Sequence, residues 1–501
     1  MYFYLALLVS AAVCWAGFRL VELLKLRGFA RAHGCEPARR MPQSERIVGL
    51  GLFLDDVAAA REHRTLQTAQ RRFRELGNTF SGVCMGQHFL TTVDSDNVRA
   101  LLSTRMEDFN SGKKSLFGPF IGDSMLTSDG AVWRHSRALV RPHLARDRVA
   151  DLGKLEGHMQ NFFSRLPLDG TTVDLHHLFA QLTFDNTMGL LLNENVCSLL
   201  SRPGSRLAQV VEAFESVGGF VNKRAALGPL LRIYRDTEFE AKCKVLHDFV
   251  DEIVRKAYNN RGSRQFGSEE KDRGFLASIL DDTVDLVKIR FEILGLLLAG
   301  RDTAADLMGN LFFVLARRPD VWEKLKKEVD DVLQGRKPTY DSLRELTYHR
   351  YAIEEALRLY PPAPVLFRAA NRNTVLPRGG GADGRSPVVV PRGTIVSCST
   401  FALHRRHDVY GIDADEFRPE RWEAMEKLRT RPRWEFLPFS AGPRVCMGQT
   451  YAMAEMAYIV ARMAQEFDAI QSRTGAPWLE KWSITLSSAA GTRVGLVPRQ
   501  K

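Results

Sequence analysis

Apolar and polar positions divide the chain into three stretches. Residues 1–18 (MYFYLALLVSAAVCWAGF) carry no charged side chain, and at helical rise this length lies at the short end of what spans a bilayer. Arg19 and Glu22 close the run, and Lys25, Arg27, Arg31, Arg39 and Arg40 follow it with no basic residue ahead of it. The positive-inside bias then puts everything downstream in the cytoplasm. A cleaved secretory peptide needs a basic leading region, which is absent, so residues 1–24 predict a signal anchor. A polar tether with Pro37 and Pro42 follows over residues 25–48. From residue 49 to 501 helical periodicity dominates, with long runs at 287–316 and 449–467 and short β-rich pieces at 79–93 and 388–397. Two soft stretches, 259–273 and the glycine-rich 378–387, predict surface loops inside one domain. The expected fold is mainly α with small β-sheets, a single large domain behind an N-terminal transmembrane helix.

Composition narrows the class. At 501 residues, 45% hydrophobic and 26% charged, the chain is that of an ordinary globular protein, without internal repeats or low-complexity segments. The net charge of +11 favours an acidic partner or an anionic membrane surface. Nucleic acid is excluded as a partner because the basic residues are spread along the chain rather than gathered into an arm. Seven cysteines (Cys14, Cys35, Cys84, Cys197, Cys243, Cys398, Cys446) are irregularly spaced, which fits neither a disulfide framework nor a zinc site and points to a reducing compartment. The odd count leaves room for one thiolate with a dedicated role.

That cysteine is Cys446. In Phe439-Ser440-Ala441-Gly442-Pro443-Arg444-Val445-Cys446-Met447-Gly448, glycines at 442 and 448 let a tight loop turn where a Cβ would collide, Phe439 can shield the sulfur, and Arg444 is placed to fork around a carboxylate. The helical run that follows puts the sulfur at a helix N-terminus, whose dipole favours a thiolate. The segment resembles the haem-binding loop of the cytochrome P450 (haem-thiolate monooxygenase) family, with Cys446 as axial ligand of the iron. Three further segments carry the resemblance in the family's order. Glu355 and Arg358 lie three apart on a helix stopped by Pro361 and Pro362, and Pro419-Glu420-Arg421-Trp422 supplies the arginine that completes a buried scaffold trio. Ala299-Gly300-Arg301-Asp302-Thr303 resembles the oxygen-activation motif of the central helix. An acid beside a hydroxyl can organise water for proton delivery, and Gly300 is expected to let the helix distort and admit dioxygen and water. Trp133 and Arg137, in Trp-x-x-x-Arg spacing, and Arg368 match the family's propionate-binding positions.

The resemblance covers roughly residues 45–500. Within the family the run Arg372 to Gly381, with Asp383-Gly384, Pro387 and Tyr410-Gly411-x-Asp413-Ala414, is most like the fungal alkane and fatty-acid hydroxylase branch, although Leu366 stands where that branch often has Asn. What it implies is hydroxylation of an unactivated C–H bond in a hydrophobic, aliphatic substrate, using haem b, dioxygen and electrons from NADPH. No nicotinamide or flavin signal occurs in the chain, so a separate flavoprotein reductase supplies the electrons; Arg429, Arg431 and Arg433 are candidates to receive it. By the same resemblance Phe117, Phe120, Leu298, Val365 and Leu366 line the substrate chamber, and the protein is a single-pass protein of the endoplasmic reticulum membrane. Oxidation of a polyketide or terpene intermediate in fungal secondary metabolism is the alternative substrate reading. A reductase-independent thiolate-haem isomerase or dehydratase would not need Asp302 and Thr303, and a haem sensor or electron carrier would need neither that pair nor a large chamber.

Overall fold

The computed structural model describes residues 2–45, 47–144, 152–194, 196–232, 234–260 and 274–500. Helix α1 (Tyr2–Ala32) runs unbroken past the end of the uncharged stretch. Apolar side chains on it, among them Phe3, Val13, Phe18 and Leu20, are more than half exposed. Several other side chains of residues 1–18 lie outside the described residues, and among the described residues no helix is long and apolar enough to cross a membrane.

The residues after α1 are stitched into a sheet. Arg39–Arg40 (β1) pairs in parallel with Thr79–Cys84 (β2), which forms an antiparallel hairpin with Gln87–Thr92 (β3). With Phe109–Asn110 (β4), Val365–Ala370 (β5) and Ile395–Ser399 (β8), these strands make a six-stranded sheet in the order β1-β2-β3-β8-β5-β4. Thr374–Gly380 (β6) and Ser386–Val390 (β7) form a separate hairpin. The glycine-rich stretch 378–387, expected as a surface loop, is a turn over 381–385 flanked by the ends of these two strands. Its glycines make room for the segment that enters from α1: Glu36 N–H bonds the Pro387 carbonyl at 2.9 Å, Gly381 N–H the Pro37 carbonyl at 3.2 Å, and a Cβ on Gly380 would sit 2.6 Å from the Glu36 carbonyl oxygen. Residues 261–273, most of the other expected loop, lie outside the described residues.

The helices pack beside the sheet. Lys114–Ile121 (α2), Gly130–Val140 (α3), Leu175–Leu192 (α4), Arg206–Leu227 (α5) and Thr237–Asn259 (α6) precede the central helix Leu286–Leu315 (α7). Asp285 caps α7, accepting from the N–H groups of Val287 and Lys288. From Ile289 onward α7 is apolar on nearly every face, the pattern of a helix enclosed on all sides. One buried cluster joins α7 to α4, Thr347–Leu359 (α8) and Gln449–Glu466 (α10). A second joins its N-terminal half to α2, α5 and α6. Glu420–Lys427 (α9) lies against α8. All seven cysteines are free.

Candidate active site

A charged trio is buried beside the cysteine loop. Glu355 and Arg358 on α8 have no exposed side-chain area, and Arg421 on α9 has 2%. Every N–H of the Arg358 guanidinium is matched: Nε to Glu355 Oε2 (2.9 Å), Nη2 to Glu355 Oε1 (2.8 Å) and the Glu416 carbonyl (3.0 Å), Nη1 to the His404 and Ala414 carbonyls (2.9 and 2.5 Å). Such completeness is what offsets the desolvation of buried charge. Arg421 reaches Glu355 (3.4 Å) and Asp413 (2.9 Å). His404, which sequence reading did not single out, relays the trio to the cysteine loop. Its Nε2 accepts the Leu437 N–H at 2.8 Å, leaving its proton on Nδ1 facing the Arg358 carbonyl. Burial, reinforced by Arg358, pushes its pKa down to about 3, so the ring is neutral as an acceptor must be.

Beyond Leu437 the loop turns sharply. Ser440 and Gly442 have φ of 61° and 67°, Val445 N–H returns to the Gly442 carbonyl, and Cys446 N–H to the Phe439 carbonyl at 2.9 Å. A side chain on Gly442 would overlap the Leu102 carbonyl in the π-helical turn Ala100–Thr104, so only glycine fits. Gly448 differs from expectation. Its φ is −81° and a Cβ there would rest 3.9 Å from Cys446 Sγ, an ordinary contact. What Gly448 contributes is its backbone N–H, which lowers the thiol's pKa together with Arg137, although burial outweighs both and leaves it raised.

Beside Trp133 the site gathers cations. Arg444 Cζ lies 4.4 Å from the Trp133 ring centroid and Arg137 Cζ 5.8 Å. Arg444 Nη2 donates to Asp129 Oδ1 (2.6 Å) and to the Ser128 carbonyl. Arg368 on β5 is buried, with its Nε lacking a partner among the described residues. Burial, with Arg444 adding repulsion, pushes Arg368 down to about 10. Lys113, absent from the sequence reading, falls to about 8 through burial and the nearness of Arg368 and Arg444. Of these four cations, Arg444, Arg368 and Lys113 share one carboxylate, Asp129, and Arg137 lies toward Cys446. Orphaned donors and depressed cation pKa values are the signature of a place built for more negative charge, and two haem propionates match it in sign and number. Lys113 carried no sequence signal because a lysine in an amphipathic stretch defaults to solvent.

On α7 the motif is arranged differently from expectation. The helix is regular α from Leu286 to Leu315, and Gly300 is there because a Cβ would meet Thr187 of α4 at 2.9 Å; helix crossing, not local distortion, requires the glycine. Asp302 pairs with Arg301 at 2.5 Å, and burial pushes its carboxyl up to about 6 against the pull of that arginine. Thr303 Oγ1 donates to the Ala299 carbonyl at 2.7 Å. Arg301 is 2% exposed and also faces Glu215 of α5 at 3.5 Å.

Phe117, Phe120 and Leu298 are brought together in the second buried cluster, against which Met447, the neighbour of Cys446, also packs. Val365 and Leu366 are half-buried on β5 and pack against two other clusters. Phe439 packs on the first cluster. Among the proximal arginines, Arg429 and Arg433 are exposed. Arg431 instead pairs with Glu354 and Glu426 and lies 5.0 Å from the Trp422 ring, so it is engaged internally.

A mainly helical fold that presents one cysteine thiol beside a buried surplus of cations could hold an iron group through the sulfur and its carboxylates through the cations. Comparison with known proteins carries this to the family. The cytochrome P450 family model matches residues 42–490. The chain is 38% identical to cytochrome P450 monooxygenase fsdH of Fusarium heterosporum over 98% of this chain and 89% of that protein. Identity is 39% with cytochrome P450 monooxygenase himC of Aspergillus japonicus, over 98% and 88%. It is 34% with cytochrome P450 52A13 of Debaryomyces hansenii, over 96% and 94%. The chain belongs to the cytochrome P450 family: it is a haem monooxygenase that uses dioxygen and electrons supplied by a redox partner.

Proposed function

We propose that this monooxygenase hydroxylates an unactivated C–H bond of a hydrophobic, aliphatic substrate, with electrons drawn from NADPH through a separate flavoprotein reductase. The observation that carries the reading is the pairing of the Cys446 thiol with the cation cluster around Trp133. In this reading Cys446 ligates the iron of haem b, while Trp133, Arg137, Arg368 and Arg444, joined by Lys113, take the propionates. Haem, when bound, supplies the dioxygen chemistry, which electron donation from a thiolate ligand favours. The chain supplies protons. Asp302, with a pKa near 6, is both protonated and ionised in useful amounts around neutrality, the condition for a group that passes protons on. The Thr303 hydroxyl stands next to it in sequence, ready to exchange its bond to Ala299 for water. Phe439 keeps water from the sulfur, and Glu355, Arg358 and Arg421 hold the loop that bears it.

Phe117, Phe120 and Leu298, with Val365 and Leu366 at the sheet edge, supply an apolar wall suited to a chain without charge. Leu366, where the alkane-hydroxylating branch often carries Asn, keeps a polyketide or terpene substrate as the second reading. Residues 1–24 act as a single-pass anchor in the endoplasmic reticulum membrane, with residues 49–501 as a cytoplasmic catalytic domain. The exposed apolar side chains of α1 support this, since water is a poor solvent for them. Arg429 and Arg433, but not the internally paired Arg431, remain available to an acidic reductase face.

Two measurements test the proposal. Cys446→Ala should abolish the red-shifted ferrous carbon monoxide spectrum, and its retention would overturn the ligand assignment. Membranes containing the protein, given NADPH, reductase and a panel of fatty acids, should yield hydroxylated products by mass spectrometry. Turnover of polyketides or terpenes alone would move the assignment to the second reading.

A further inference from the structure

Helix α2, which carries Phe117 and Phe120, contains a proline at position 119. In an α-helix the N–H of residue 119 bonds the carbonyl of residue 115. Proline has no N–H, so the Ser115 carbonyl is left without its internal donor. The donor arrives from another element. Arg224, in the last turn of α5, places Nη2 2.9 Å from the Ser115 carbonyl and Nε 2.9 Å from the Leu116 carbonyl. Its guanidinium also lies 5.3 Å from the Phe239 ring centroid of α6, which limits its rotamers. Two residues earlier on α5, Asn222 Nδ2 reaches the Trp482 carbonyl at 2.6 Å, so the end of α5 is held on two sides. Gly228 then ends the helix with φ of 52°, and Leu230 beyond it is 46% exposed. The Arg224–Ser115 bond itself is exposed and the Arg224–Leu116 bond half-buried, so solvent reaches the seam between α5 and α2. Phe120 lies inward from it, fully buried against Phe214 with ring centroids 6.0 Å apart, and its carbonyl faces His247 of α6.

We propose that Arg224 is a positioning residue that latches α2 to α5 across the route by which substrate enters and leaves, with Pro119 creating the vacant carbonyl it grips. The proposal rests on reading Phe117 and Phe120 as a wall of the substrate chamber. The latch uses the geometry of the guanidinium as well as its charge, because two parallel N–H groups hold two successive carbonyls. A lysine, with a single ammonium, can serve one of them well. Releasing the latch leaves the Ser115 carbonyl to water and frees α2 to move away from α5, while no group proposed to touch the haem is altered.

The test uses the full-length, haem-loaded protein in phospholipid nanodiscs, comparing wild type with Arg224→Ala, Arg224→Lys, Pro119→Ala and the double variant Pro119→Ala/Arg224→Ala. Two probes are mixed with each by stopped flow: 4-phenylimidazole, which reports access to the haem whatever the natural substrate, and lauric acid. Hydrogen exchange of the α2 amides and the melting temperature are read alongside. Arg224→Ala should raise both association and dissociation rates about tenfold, as expected from losing a charge-assisted clasp, with a much smaller change in Kd. Arg224→Lys should fall between. Alanine at 119 restores the N–H for Ser115, so removing Arg224 in that background should change the rates about threefold or less. Exchange in α2 should quicken in Arg224→Ala and quicken less in the double variant. Unchanged rates and exchange in Arg224→Ala, or equal effects in both backgrounds, would overturn the latch. If Arg224→Ala fails to retain haem, the lysine and double variants decide by the same criteria. Gated 4-phenylimidazole binding without any response to lauric acid would leave the latch standing and remove the aliphatic substrate.

Discussion

Glu455 on α10 is buried against α4 with no charged partner among the described residues. Asn186 Nδ2 donates to its Oε1 at 2.8 Å and the Tyr451 hydroxyl approaches the same oxygen at 3.5 Å. Glu455 Oε2 and Asn186 Oδ1 are both left without a donor. One proton on the carboxyl supplies it, and burial accordingly pushes the group from 4.5 up to about 7. The folded state thus binds a proton that the unfolded chain has released between those two values. Stability from this group is fully present below about pH 4.5 and is lost as pH rises through 7, by about 3 kcal/mol in all, from roughly 1.4 kcal/mol per unit. Glu455→Gln places a permanent amide donor where the proton sits and keeps an acceptor for Asn186 and Tyr451. The variant should match wild type at pH 4 and exceed it by about 3 kcal/mol at pH 8.5. Urea unfolding of the haem-loaded protein across that range, followed by circular dichroism and by the haem absorbance, measures it. The informative quantity is the difference between the two proteins, in which all other titrations cancel. A difference independent of pH, or a variant less stable at pH 8.5, would refute a protonated Glu455.

Other outcomes follow from the same contacts. Glu355→Ala strands Arg358 and Arg421 without their shared carboxylate, which should cost about 3–5 kcal/mol and appear as a large fall in melting temperature and haem retention. Gly442→Ala forces the cysteine loop off the Leu102 carbonyl, so the purified protein should show a strongly reduced ferrous carbon monoxide signal while keeping its helical content by circular dichroism. Asp302→Asn should lower product formation about a hundredfold or more with carbon monoxide binding intact. In wild type, steps that need protonated Asp302 should weaken as pH rises through about 6, a limb to be seen in the pH profile of turnover and absent in the variant.

The central helix, the helix behind Cys446 and the β-rich pieces were all legible from periodicity, because burial imposes a period on side chains whatever the topology. The loop pattern around Cys446 and the family resemblance, rather than periodicity, singled out Cys446, the Glu355–Arg358–Arg421 set and the Asp302–Thr303 pair as candidates, and the structure brings Glu355, Arg358 and Arg421 into contact. Lys113, His404, Asn186 with Glu455, and Arg224 were not legible. Each acquires its role from a partner more than thirty residues away, and nothing local distinguishes it from a solvated or ordinary core residue. The glycines show the same division. At Gly442 a positive φ belongs to a tight local turn, which the loop pattern announces. At Gly300 and Gly380 the requirement comes from Thr187 and from the Glu36 backbone, neighbours only in space. Arg431, one of three equivalent arginines in sequence, is set apart from Arg429 and Arg433 only by the two carboxylates the fold brings to it.

By itself the sequence determined the class of protein, and it singled out the sulfur proposed as ligand and the pair proposed to carry protons, since these readings depend on which groups are present and how far apart they lie along the backbone. Tertiary structure alone decided which cations share the space beside Trp133, which buried acid keeps its proton, and which arginine holds α2 in place. Charge neutralisation, desolvation and the matching of orphaned hydrogen-bond groups act through distance in space, and spacing along the chain does not encode that distance.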